Sequence, residues 1–168
     1  KENIVVRVNQ GYEQFCELNQ QLLMDKGLAT VLPDVSFLKC YGVLLVAECD
    51  GEIIAGQFYL KDAKTLRWLL GGSRRYGADQ LMRNRIGYAN RLLVWEAIRH
   101  AKAYGAVLFD LGGYYAGREP DTQKERINQF KSGFGGTRTM HYVYEKYYST
   151  LFRFLRLGSN WVRAMGYG

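Results

Sequence analysis

Three β-rich runs follow one another in this chain with only short polar breaks between them. They are GVLLVAEC (Gly42–Cys49), EIIAGQFYL (Glu52–Leu60) and TLRWLLGG (Thr65–Gly72). The first break is the pair Asp50-Gly51 and the second is KDAK, Lys61–Lys64. An Asp-Gly pair between β-branched and aromatic runs specifies a tight hairpin, because the turn needs positive φ and these residues tolerate it. The middle of the chain must therefore be sheet, and the remaining segments have to cover it.

The flanks supply that cover. IVVRV (Ile4–Val8) reads as a further strand, and residues 11–27 as a helix with Tyr12, Phe15, Cys16, Leu22 and Leu23 on one side and Gly27 as its stop. A loop holding Pro33 leads into the strands. SRRYGADQLMRNRIGY (residues 73–88) is polar and basic and reads as a loop. In residues 89–105, Leu93, Val94, Ala97, Ile98 and Ala101 form the apolar side of a helix that Gly105 ends. AVLFDL (residues 106–111) is almost wholly apolar, which predicts a short strand buried on both faces. Thr122 and Glu125 have the spacing of a capping box, predicting a short helix that stops near Gly133. Residues 137–145 alternate as a strand does, and residues 149–165 form an amphipathic C-terminal helix. The order β-α-β-β-β-α-β-α-β with a last helix predicts an α/β or α+β fold with a sheet of mixed direction, built as one domain over residues 1–168.

Charge and rare residues narrow the chemistry. Lys and Arg number 23 against 16 Asp and Glu, a net charge of +7, which favours polyanions: RNA, phosphates, nucleotides or an anionic membrane face. Cys16, Cys40 and Cys49 are scattered and never form a CxxC pair, and only His100 and His141 are present. No metal site, disulfide framework or Cys-His dyad is expected, and the setting is a reduced, cytoplasmic one. No Gly-x-Ser-x-Gly occurs, which disfavours a serine hydrolase. No stretch of about 18 apolar residues is present and KENIVVRVNQ is not a signal peptide, so no membrane span is expected. In the tail, Arg153, Arg156 and Arg163 lie away from the stripe of Leu151, Phe154, Leu155, Val162 and Met165. That pattern suits a helix packed on its own domain or one lying on an anionic membrane.

One short segment sharpens the question of function. In INQFKSGFGG (Ile127–Gly136), Ile127, Phe130 and Phe134 share a helical stripe and Lys131 sits on its edge. An ammonium held against apolar surface must snorkel to water or meet an anion. Asp110, at a strand end before Gly112 and Gly113, either faces a ligand or caps amides of the turn. Tyr114 and Tyr115 follow, placed to stack on a substrate or to pack the loop. Arg74, Arg75, Arg83, Arg85 and Arg91 crowd one segment, as phosphate contacts or as a solvated basic face.

These residues carry a resemblance. Asn90 to Trp95, the strand ending in Asp110-x-x-Gly113, the pair Phe130-Lys131 and the pair Phe134-Gly135 resemble the signature of the FemABX family, aminoacyl-tRNA-dependent peptidyltransferases of GNAT fold. The likeness covers about residues 37–145 and is to the second of that family's two domains. It implies a GNAT-like acyltransferase fold, a mixed and mostly antiparallel sheet flanked by helices, transferring an acyl or aminoacyl group to an amine of a peptidoglycan or other cell-envelope precursor. It implies Lys131 as the residue of donor binding and catalysis. The residues around it add Asp110 as a second catalytic candidate, and Phe130, Tyr114, Tyr115, Gly112, Gly113 and Asn90 as candidate substrate contacts. Arg83 and Arg85, from their charge, and Gly87, from the NRIGYA segment, are the candidates to hold the donor's phosphates. Aminoacyl-tRNA is the implied donor, with no permanently bound cofactor. The expected partners are tRNA, the envelope precursor, the inner membrane face and a second copy that restores a two-domain cleft.

Two alternatives stand beside it. NRIGYA places Asn84, Gly87 and Ala89 in partial match to the Gln/Arg-x-x-Gly-x-Gly/Ala segment of acetyl-CoA-dependent GNAT enzymes, where amides at a helix start hold pyrophosphate. Acyl-CoA is then the donor. The other alternative is a non-catalytic basic half-module that binds RNA or membrane.

Overall fold

The computed structural model describes residues 3–27, 32–117 and 119–140, with Tyr142, Lys146, Tyr148 and Ser149 beyond them. The chain divides into two compact units, residues 1–131 and 132–168. In chain order the elements are β1 (Ile4–Val8), α1 (Tyr12–Asp25), α2 (Val35–Tyr41), β2 (Gly42–Cys49), β3 (Glu52–Lys61), β4 (Thr65–Ser73), α3 (Gln80–Ala103), β5 (Leu108–Asp110) and α4 (Thr122–Ser132). The five strands form one sheet in sequence order. β1 to β4 are antiparallel, and β5 joins β4 in parallel.

Both central residues of the β2–β3 turn have positive φ, 52° at Asp50 and 84° at Gly51, as a primed two-residue hairpin requires. The unbroken apolar run of β2 reflects burial on both sides of the sheet. Val43, Leu45, Ala47 and Cys49 pack with Ile86, Ala89, Leu93, Ala97 and Ala101 of α3. Leu44 and Val46 pack instead with Tyr12 and Phe15 of α1 and Leu38 of α2. Gly56 on β3 has no side chain because a Cβ there would run into the Phe15 ring.

Four expectations change. α3 begins at Gln80, not near residue 89, so most of the segment read as a basic loop is helix. The Asp79 side chain accepts from Met82 N at 2.7 Å and starts it. Residues 82, 86, 89, 93, 97 and 101 continue one seam, which the surrounding arginines hide from a hydropathy reading. α2 was not expected; Asp34 caps it, accepting from Phe37 N at 2.7 Å, and Leu38 pins it to the core. β5 has only three residues, and Leu108 is 52% exposed, so the strand is not buried on both faces. At α4 the cap is Asp121, which accepts from Lys124 N at 3.0 Å, in place of the expected Thr122–Glu125 box.

In the second unit, residues 137–140 are not strand, and most of residues 141–145 lie outside the described residues. The expected C-terminal helix, residues 149–165, lies outside them but for Ser149. No described helix is long and apolar enough to cross a membrane.

Candidate active site

The candidate site opens where two parallel strands part. β4 and β5 pair over Thr65–Leu108, Leu66–Phe109 and Arg67–Asp110 and no further. At the last pair, Arg67 Nε lies 3.3 Å from Asp110 Oδ2. Just beyond, the β3–β4 register passes from Tyr59–Trp68 to Phe58–Leu70, so Leu69 is an extra residue that bends β4 away. A cavity of about 1380 Å³ fills the divergence, with Trp68, Leu69, Gly71 and Gly72 of β4 on one side and Leu111, Gly112 and Gly113 on the other. The first half of α3 and one face of α4 complete the wall. This is the carboxyl end of a parallel strand pair, the usual position for a ligand in open sheets.

The wall has one sign of charge. Lys26, Arg75, Arg83, Arg91, Arg126 and Lys131 line it, and no described Asp or Glu does. Cations gathered around a cleft raise its positive potential and draw in anions.

Lys131 answers the question that its sequence position raises. Its stripe neighbours Ile127 and Phe130 face the cavity, and the buried residue of α4 is Asn128. Lys131 Nζ donates to Gly113 O at 2.6 Å and lies 5.7 Å from the Trp68 ring centroid. Partial burial pushes its pKa below the ordinary lysine range, and Asp110 pulls part of the way back. Trp68 packs on Phe130 at 6.3 Å between centroids, and Arg91 Cζ lies 5.7 Å from the Phe130 ring. Two cations thus flank an aromatic pair in the wall. Gly112, at φ 74°, passes under this cluster; a Cβ there would stand 3.1 Å from Trp68 O.

Of the residues singled out in the sequence, Lys131, Phe130, Gly112, Gly113, Asn90, Arg83 and Gly87 line the cavity, while Asp110, Tyr114, Tyr115 and Arg85 do not. Asp110 accepts from Gly112 N at 2.7 Å and pairs with Arg67, so it caps its own turn. Tyr115 is held by Asn128, which accepts from its N at 3.0 Å and donates to its O at 2.8 Å, and its hydroxyl donates to Glu119 O. Arg85 projects to the other side of α3, 3.8 Å from Asp50 Oδ2 at the hairpin turn. Two residues along a helix turn the side chain by about 200°, so Arg83 and Arg85 cannot share a site.

The NRIGYA segment also changes meaning. Asn84 and Gly87 line the cavity, but they stand inside α3, where backbone N–H groups are spent on the helix ladder. Trp68, Lys26, Arg126 and the clamp Asn128 were not singled out; each is an ordinary strand or helix residue in sequence, and only the fold brings them to one place.

The solved structures most similar in fold include an aminoglycoside acetyltransferase from an uncultured soil metagenomic sample in complex with sisomicin, at 10% identity and TM-score 0.60, covering 88% of this chain and 97% of that one. The aminoglycoside N-acetyltransferase AAC(6')-Iy in complex with CoA matches at 11% identity and TM-score 0.57, over 89% of this chain and 97% of that one. The ribosomal-protein-alanine N-acetyltransferase of Brucella melitensis matches at 12% identity and TM-score 0.57, over 86% and 99%. Likeness at these identities is likeness of fold. No curated protein matches the sequence. Residues 36–132, more than half of the chain, match the family described as acetyltransferase (GNAT) domain, and none of these matches supports FemABX specifically. With the sheet, the parting strands and the match all in agreement, the chain belongs to the GNAT acetyltransferase domain family.

Proposed function

We propose that this protein transfers an acyl group to an amine from a phosphate-bearing carrier, with acetyl-CoA as the donor. The single observation that carries the reading is the half-buried Lys131 ammonium at the parting of β4 and β5, in a cavity whose described charged lining is all cationic. The family and the CoA-bound structural neighbour favour the acetyl group and its carrier. Arg83, Arg91 and Arg126 would meet the carrier's phosphates, and Trp68 and Phe130 would flank its arm. Bound CoA thioester supplies the acyl group. Lys131 holds a positive charge where negative charge gathers on the acyl oxygen as the amine attacks, and loss of one such donor costs about 10²–10³ in kcat. A wall whose described charged residues are all cations disfavours acceptors with several ammonium groups, aminoglycosides among them, and favours an amine on a neutral or anionic molecule such as an envelope precursor.

The test is Lys131→Met assayed with acetyl-CoA and a panel of amine acceptors. We expect kcat to fall about 100-fold or more with a smaller change in KM. Unchanged turnover removes the reading.

One observation favours a second donor. Asp79 occupies the N-terminus of α3, taking the Met82 amide, so a pyrophosphate would meet a carboxylate there. Phosphates met by side chains alone, spaced along a groove, suit an aminoacyl-tRNA. Parallel titration with CoA and with charged tRNA separates the two.

A further inference from the structure

The core between β3 and α3 is not wholly apolar. Gln57 on β3 has none of its surface exposed, and neither has Tyr59. The Tyr59 hydroxyl donates to Gln57 Oε1 at 2.5 Å. Gln57 Nε2 donates to Asn90 Oδ1 at 3.1 Å and to the Asn90 carbonyl at 3.3 Å. Asn90 Nδ2 in turn donates to Ile86 O at 2.9 Å. Burial drives the Tyr59 pKa far up, so its hydroxyl stays protonated and remains a donor.

The relay has a direction. The Asn90 carbonyl can only accept, so it turns the Gln57 nitrogen toward Asn90 and leaves the Gln57 oxygen to the Tyr59 hydroxyl. That nitrogen fixes the Asn90 oxygen inward and so its own amide nitrogen outward. Asn90 lines the cavity. An amide nitrogen carries two N–H groups, and one is spent on Ile86 O. The other has no acceptor among the described residues. Stability does not demand such an arrangement, because a buried polar pair replaced by apolar groups of like shape is often neutral. Reversed, the Asn90 amide would turn a lone pair toward the anionic carrier proposed above.

We propose that Asn90 is a donor-binding residue that offers its second Nδ2 N–H to an acceptor oxygen on the acyl carrier, and that Gln57 and Tyr59 are positioning residues that hold it in that orientation. This rests on the acyl-donor reading above.

The experiment compares the wild type with Asn90→Asp, with Asn90→Ala and with the double variant Gln57→Leu/Tyr59→Phe. Acetyl-CoA and charged tRNA are titrated by calorimetry, and melting is followed alongside. Gln57→Leu alone strands the Tyr59 hydroxyl and should melt lower than the double variant, in which both partners are apolar. The double variant should melt within about 5 °C of the wild type. It should nevertheless bind the donor that the wild type takes about tenfold more weakly, since the Asn90 amide is then held by Ile86 O alone. Asn90→Asp keeps the acceptor for Gln57 but exchanges the N–H for a negative charge, and should weaken binding more. Asn90→Ala, which removes the N–H without adding charge, should weaken it about as much as the double variant and decides the matter if that variant fails to fold. Affinity recovered together with stability in the double variant, or wild-type affinity in Asn90→Asp or Asn90→Ala, overturns the proposal and leaves the donor reading standing. A wild type that binds neither acetyl-CoA nor charged tRNA overturns both.

Discussion

The two halves of α3 use one backbone for different work. From residue 92 onward its buried positions, Leu93, Val94, Ala97 and Ala101, hold the helix to the sheet. From Gln80 to Arg91 the same seam continues through Ile86 and Ala89, but a second face, carrying Arg83, Asn84, Gly87, Tyr88, Asn90 and Arg91, forms the cavity wall. Truncating an apolar side chain should therefore cost stability in either half, whereas truncating a polar one should cost binding only in the first. The comparison also explains why polar residues crowd the functional half: a helix that must both pack and bind has fewer positions left for an apolar stripe.

The largest effect is expected along the seam. Leu93→Ala should destabilise the protein by about 2–5 kcal/mol, and Ile86→Ala by a similar amount, as read from denaturant unfolding. An Ile86→Ala cost near zero would mean that the first half is not packed as described. Next come Arg83→Ala and Arg91→Ala, which should leave stability within about 0.5 kcal/mol yet weaken donor binding. The loss should be about tenfold or more at low salt and smaller at high salt. Equal loss from Arg85→Ala, which faces the hairpin turn, would break the assignment of faces. Removing the α3 cap with Asp79→Ala should cost about 1 kcal/mol, and Asp79→Asn should recover most of it.

The smallest effect separates binding from turnover by pH. Lys131 titrates below the ordinary lysine value, its charge disfavoured by partial burial. KM for the donor should stay flat as kcat falls with rising pH through the lowered Lys131 pKa. Stability moves the other way. Between that lowered value and 10.5, the unfolded chain binds the proton more fully than the folded one, so folding stability rises with pH in that window. A kcat profile flat well into the alkaline range would remove Lys131 from the charge-stabilising role.

Local signals in the sequence account for much of the fold. The Asp50-Gly51 pair, the alternating or unbroken apolar runs of β1 to β4 and the clean stripe after residue 92 each depend on neighbours in the chain, so they can be read without the structure. Lys131 on the edge of an apolar stripe was legible for the same reason. What was misread depends on partners distant in sequence: α2, held by Leu38 in a core built from α1 and β2; the first half of α3, whose arginines mask its seam; and Arg83 and Arg85, which part to opposite sides once that segment is helical.

By itself, then, the sequence determined a basic chain with a hairpin-centred sheet, covering helices and a lysine set against apolar surface, because periodicity, turn chemistry and net charge are properties of the chain alone. Only the tertiary structure decided that β4 and β5 part after Arg67 and Asp110, that the described charged residues lining the cavity are all cations, and that Gln57, from the middle of a buried strand, donates to Asn90 in that wall. Those outcomes are set by contacts between segments tens of residues apart, where direction and distance matter and composition carries no record of either.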